Sequence, residues 1–159
     1  MIKDPIVLVL IHNNSREAEK VAAQVCQELL NRKVKVCAPK DDLKLIAAHN
    51  VKIEEYINQK ESNPNLALVF GGDGTILRAV EITRDENIPV LGINLGHVGF
   101  LAEAELEHIN DVVKSITSHS WIQEERLAIE VSIFKDNQLF AKTFALNDVA
   151  IEKSEPGHM

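Results

Sequence analysis

Cysteine is scarce. Cys26 and Cys37 are the two in 159 residues, and neither stands in a CxxC or other metal-ligand spacing. That argues against a zinc module and a disulfide framework, and both thiols are expected to be reduced core residues. No apolar run approaches the roughly 20 residues that span a bilayer. The opening segment MIKDPIVLVLIHNN has a short apolar stretch that stops at polar residues, with no cleavage region of a signal peptide. The protein is therefore expected to be soluble and cytoplasmic, with no membrane partner. A basic excess is missing too: the net charge is -7. An acidic balance argues against a nucleic-acid partner, whose phosphate backbone calls for a basic face. It does not exclude a nucleotide, because backbone N–H groups hold phosphates without net charge. There is no internal repeat, no low-complexity segment, no P-loop ending in Gly-Lys-Ser/Thr and no GxGxxG fingerprint.

What is present is an apolar fraction of 45%, enough for a sizeable core. Ile6 to Ile11 is a continuous apolar run, the pattern of a strand buried on both faces. Asn14 is a candidate helix cap, with Glu17 in the place of a capping-box carboxylate. Val21, Val25, Leu29 and Leu30 give the following helix one apolar face. Val34 to Ala38 reads as a second strand ended by Pro39, and residues 41–60 are helical in composition. Leu66 to Phe70 is a third buried strand, and a helix is expected after the glycines that follow it. Pro89 to Ile93 is a fourth strand, and residues 105–118 look helical. Strand and helix in this alternation imply an α/β fold with a parallel, Rossmann-like sheet and right-handed crossovers.

The pattern changes near Trp121. Residues 127–134 and 139–146 suit strands joined by a hairpin loop over Lys135 to Gln138, and Leu146 to Ile151 suits a third. The expected organisation is an α/β nucleotide-binding domain over residues 1–120 and the start of an antiparallel β domain over 121–159. Three strands are too few to bury a sheet face alone, so the chain reads as truncated or in need of a partner.

The chemistry concentrates in Gly71-Gly72-Asp73-Gly74-Thr75, directly after the third strand. Glycines there let the backbone approach a ligand closely. The next helix offers free N–H groups and the positive end of its dipole to a phosphate chain. A carboxylate beside phosphates is repelled unless it has a task. Asp73 could take a proton from an attacking hydroxyl or help hold a metal ion on the phosphates. It could also merely cap a helix from Gly74 onward.

The segment Val69-Phe70-Gly71-Gly72-Asp73-Gly74-Thr75 resembles the motif shared by NAD kinases, diacylglycerol and sphingosine kinases and 6-phosphofructokinases. Pro89-Val90-Leu91-Gly92-Ile93-Asn94-Leu95-Gly96-His97-Val98-Gly99-Phe100-Leu101 and Leu146-Asn147-Asp148-Val149-Ala150 resemble the NAD kinase version in order and spacing. The resemblance runs over essentially the whole chain. It implies a kinase that phosphorylates the adenosine ribose 2′-hydroxyl of NAD, with ATP or polyphosphate as donor and Mg²⁺ or another divalent cation. Asp73 would be the base. Gly71, Gly72, Gly74 and Thr75 would line the site for NAD and the donor, and Asn147 and Asp148 would contact NAD. Many family members have Glu where Asp148 stands.

Phe100 matches a phenylalanine near the adenosine pocket, or is a plain core aromatic. Arg78, one helical turn beyond Gly74, would neutralise phosphate charge or face solvent. His158 falls where some members place a basic nucleotide contact. His97 is expected to be structural, and no metal ligand is assigned from the protein. The family's further glycine- and threonine-rich motif is missing, so the site is expected to be incomplete; the resemblance implies a homodimer or homotetramer for the full-length protein. The alternatives are a lipid kinase of the diacylglycerol type and a non-catalytic NAD- or NADP-binding module.

Overall fold

The computed structural model describes residues 5–57, 63–95, 104–105, 109–146 and 149–150. They divide into two compact units, Met1–Ile122 and Gln123–Met159. In the first, the elements run β1 (Ile6–Ile11), α1 (Arg16–Asn31), β2 (Lys35–Ala38), α2 (Lys40–Ala47), β3 (Glu54–Glu55), β4 (Leu66–Phe70), α3 (Asp73–Thr83), β5 (Val90–Asn94), β6 (Ala104–Glu105) and α4 (Ile109–Ser118). All six strands pair in parallel, in the order β3-β2-β1-β4-β5-β6.

The central strands obey the two-residue period of a sheet with both faces covered. Val7, Val9 and Ile11 of β1, with Leu66, Leu68 and Phe70 of β4, join one apolar cluster with α1, Ile46 of α2, and Val112, Val113 and Ile116 of α4. Leu8, Leu10, Ala67 and Val69 point the other way, against Ile76 and Ala79 of α3. The expected Rossmann-like α/β fold is thus the one observed.

Several boundaries differ from the sequence reading, each for a local reason. Helix α1 is capped by Ser15, whose Oγ accepts from the Ala18 N–H at 3.2 Å. Asn14 instead takes a left-handed conformation, φ 72°, so Glu17 does not stand in a capping box. The helical composition of 41–60 yields a helix only over Lys40–Ala47. Asn50 at φ 63° ends that segment, and Glu54–Glu55 pairs with β2 as an edge strand. The last helix of this unit starts at Ile109, after the short strand β6.

The second unit is described as a hairpin of β7 (Ala128–Lys135) and β8 (Gln138–Leu146), antiparallel, with an irregularity between Ile133 and Phe134. The expected four-residue loop shrinks to two. Lys135 pairs with Gln138, and Asp136 and Asn137 both have positive φ, 51° and 62°. Two such residues match the right-handed twist of the strands. Ile133, Phe134, Leu139 and Phe140 are exposed, as expected of a sheet too small to cover itself. Val149 and Ala150 lie in no strand.

The end of β1 is held by side chains. The β1–β2 ladder reaches only Leu8 opposite Cys37, and β2 stops at Ala38. Ile11 therefore needs other partners for its peptide groups. Its N–H donates to Asp42 Oδ1 of α2 at 2.8 Å. Its carbonyl accepts from Arg78 Nη2 of α3 at 3.0 Å, and the same Nη2 donates to Asp42 Oδ1 at 2.6 Å. Asp42 is fully buried, and among the described residues its Oδ2 has no hydrogen-bond partner. The buried carboxylate is tolerable only because the guanidinium is beside it.

Removing Arg78 should leave that charge uncompensated. Arg78→Met is expected to cost about 3–5 kcal/mol in urea unfolding, and Asp42→Leu added to it should restore part of the loss. A double-mutant cycle with no coupling would refute the pairing.

Burial pushes the Cys26 thiol up to about 12. Burial, with Glu54 beside it, does the same for Cys37, also to about 12. Both folded-state values are raised, so their contribution to stability is complete below the unfolded thiol value, roughly 8.5, and is lost as pH climbs toward 12. Neither thiol should react with a disulfide reagent at pH 8 in the native protein. Both should react in denaturant.

Candidate functional site

In the strand order, β1 has β2 on one side and β4 on the other. The chain moves outward from β1 to β2 and β3, then returns across β1 to start β4 and moves outward the other way. The switch in direction lies between the carboxyl ends of β1 and β4. In an open α/β sheet that is where a crevice for ligands forms. The residues at those two ends are His12 and Gly71-Gly72-Asp73-Gly74-Thr75.

The glycine turn is pinned on both sides. The His12 N–H donates to the Phe70 carbonyl at 2.8 Å, and the Gly71 N–H donates to the Ile93 carbonyl of β5 at 3.1 Å. Gly71 has to be glycine. A Cβ there would stand 2.6 Å from Thr75 Oγ1 and 2.9 Å from His12 Cβ. Among the described residues, no such atom meets a Cβ at Gly72 or Gly74. Both are exposed, so their backbone faces open space.

Helix α3 begins immediately. Gly72 is its N-cap residue; its carbonyl accepts from the N–H groups of Thr75 and Ile76 at 2.9 and 3.2 Å. Asp73 is therefore the first helical residue and not the cap, which corrects the bland alternative for its role. It is half-buried, in the first turn, where the helix dipole favours a negative charge. Thr75 is buried against Gly71. The face of α3 that packs on the sheet is Ile76, Ala79 and Thr83, while Leu77 is exposed. The arrangement offers a helix N-terminus, close-packed glycine backbone and one carboxylate at a single point, which suits a phosphate chain next to a group that accepts a proton.

Arg78 lies one turn into α3, and its Nη2 is engaged by Asp42 and the Ile11 carbonyl. Its charge is thus shared with a buried carboxylate at the foot of the site. Phe100, Asn147, Asp148 and His158 lie outside the described residues, as does His97. Among the described residues, no group of three or more His, Cys, Asp or Glu side chains could hold a metal ion.

Two residues at this end of the sheet escape a motif reading. Asp42 precedes the buried Ile46 by four residues, a spacing that places it on the buried face of α2. His12 follows Leu8 and Leu10 at the strand period, which places it on the α3 face of β1.

The ATP-NAD kinase N-terminal domain family matches residues 7–120. The NAD kinase of Corynebacterium diphtheriae is 37% identical over 155 residues, 92% of this chain and 49% of that protein. The NAD kinase of Thermobifida fusca is 35% identical, over 96% of this chain and 50% of its own length. The chain spans about half the length of the curated relatives it matches. Among solved structures, yeast NADH kinase complexed with NADH has a similar fold, with a TM-score of 0.74 at 21% identity over 89% of this chain and 46% of that one. The matched family segment includes most of β1, the glycine turn and α3, and the chain belongs to the NAD kinase family.

Proposed function

We propose that the protein to which this chain belongs phosphorylates the 2′-hydroxyl of the adenosine ribose of NAD, giving NADP. The observation that carries the reading is the place of Asp73. It is the first residue of α3, directly after the close-packed Gly71 and the exposed Gly72, at the switch point of the sheet. The family match supplies the substrate class.

In the step proposed, the ribose 2′-oxygen attacks the terminal phosphorus of ATP or polyphosphate. A new O–P bond forms, and the bond from that phosphorus to its bridging oxygen breaks. The shortened donor departs with the electron pair, and Asp73 takes the hydroxyl proton. The amides of the glycine turn and the first turn of α3 receive the phosphate charge. Thr75 and Gly71 keep that turn in one shape by contact. Catalysis of this kind rests on positioning and electrostatics more than on covalent chemistry.

The described residues offer no carboxylate cluster for a cation. A divalent cation such as Mg²⁺ would be held by the donor's own phosphate oxygens, with Asp73 the carboxylate at the turn. When bound it offsets phosphate charge. By resemblance, Phe100, Asn147, Asp148 and His158 would contact the nucleotide.

The test is NADP formation from NAD, magnesium and ATP or polyphosphate, by this chain and by one extended to the full length of its relatives. The extended protein should turn over. Asp73→Asn in it should lose about 10²- to 10⁴-fold in kcat, the usual value of general-base help, with NAD affinity largely kept. An unchanged kcat would remove Asp73 from the base role. Silence from the wild-type extended protein, with NAD still bound, would turn the reading to a non-catalytic NAD-binding module.

A further inference from the structure

We propose that His12 is a phosphate-binding residue, and that its imidazole holds the phosphoryl donor against the glycine turn. The proposal rests on the phosphoryl-transfer reading above and names a contact within that site.

From sequence, Arg78 would either neutralise phosphate charge or face solvent. The structure instead directs its Nη2 to Asp42 and the Ile11 carbonyl. A site that must receive several phosphate charges is then in want of another donor, and His12 is placed to supply it. Three observations converge on that side chain. It continues the alternation of Leu8 and Leu10, so it projects from the α3 face of the sheet. Its backbone is fixed by the bond from its N–H to the Phe70 carbonyl at 2.8 Å. Its Cβ and Thr75 Oγ1 are both against Gly71, closely enough that a methyl group at Gly71 would strike each of them.

His12 is exposed. A core histidine would be buried against apolar neighbours; this one stands at the mouth of the switch point, on the side from which α3 presents its first turn. A ring N–H there complements the backbone N–H groups of that turn. The combination gives a phosphate chain donors from the sheet and from the helix, which one element could not provide. The tight fit at Gly71 also gains a reason: any larger residue would push His12 away from α3.

The probes are tripolyphosphate and magnesium–ATP, titrated calorimetrically into this chain and its His12→Ala, His12→Gln and His12→Lys variants. Hydrogen bonds to a charged group are strong enough that His12→Ala should bind both probes about 10- to 100-fold more weakly. The loss should be similar for the two probes, because the contact is to phosphate and not to the base. His12→Lys, and in part His12→Gln, should recover affinity by restoring an N–H donor. Lys52→Ala, which removes an exposed positive charge just before the edge strand β3, is the control and should bind as the wild type does. Unfolding midpoints should be equal within the set, since the His12 side chain is exposed.

Equal affinity of wild type and His12→Ala would overturn the assignment while leaving the phosphate site standing. An equal loss in Lys52→Ala would overturn it too, as general charge attraction. If the wild-type chain bound neither probe, the phosphate site at the glycine turn would itself be wrong, and the assignment would fall with it.

Discussion

The end of the central strand depends on one buried carboxylate. Beyond Leu8 the β1–β2 ladder stops, yet β1 runs on to Ile11. Asp42 and Arg78 take over the task of a neighbouring strand, accepting from the Ile11 N–H and donating to its carbonyl. One side chain comes from α2 and the other from α3. Two helices that share no apolar cluster are thereby tied to the same residue of the sheet. The tie lies one residue before His12 and one helical turn from the start of α3. Whatever binds at the glycine turn meets a surface whose parts are mutually fixed.

That constraint explains a division of labour among charges. An arginine near a phosphate site invites a reading as a phosphate ligand. Here its guanidinium is needed by a carboxylate that has no access to water, and removing water makes an unpaired charge costly. The net effect at the foot of the site is close to neutral. Charge recognition then falls to partial charges and hydrogen-bond donors: the first turn of α3, the amides around Gly72 and Gly74, and the His12 ring. These are compatible with a chain of net charge -7, because none requires a basic surface.

The two units differ in how they satisfy their apolar residues. In the first, both faces of the sheet are covered by helices, and Leu8, Leu10, Ile11, Leu68 and Phe70 are fully buried. In the second, the hairpin pairs its backbone well but leaves Phe134, Leu139 and Phe140 largely exposed. A two-stranded ribbon has no opposite layer. The same period-two pattern therefore marks a finished core in one place and an uncovered face in the other.

Much of this was legible in the residues themselves. The apolar runs of β1 and β4, the glycine turn and the amphipathic face of α1 announced a parallel α/β sheet with a phosphate-suited loop, because burial on both faces leaves a continuous apolar run and close backbone approach leaves glycines. The three motifs likewise carried the family. Composition failed over residues 41–60, where Asn50 turned left-handed and Glu54–Glu55 joined the sheet edge; both are local events with little apolar signal. Ser15, rather than Asn14, took the cap because two adjacent polar residues compete and backbone geometry chooses between them. What only the tertiary structure decided was the partner of Arg78 and the neighbourhood of His12. Sequence places a side chain on a face of its own element. Which faces meet is set by the strand order, and that order brought residues 12, 42, 71 and 78 to one end of one strand.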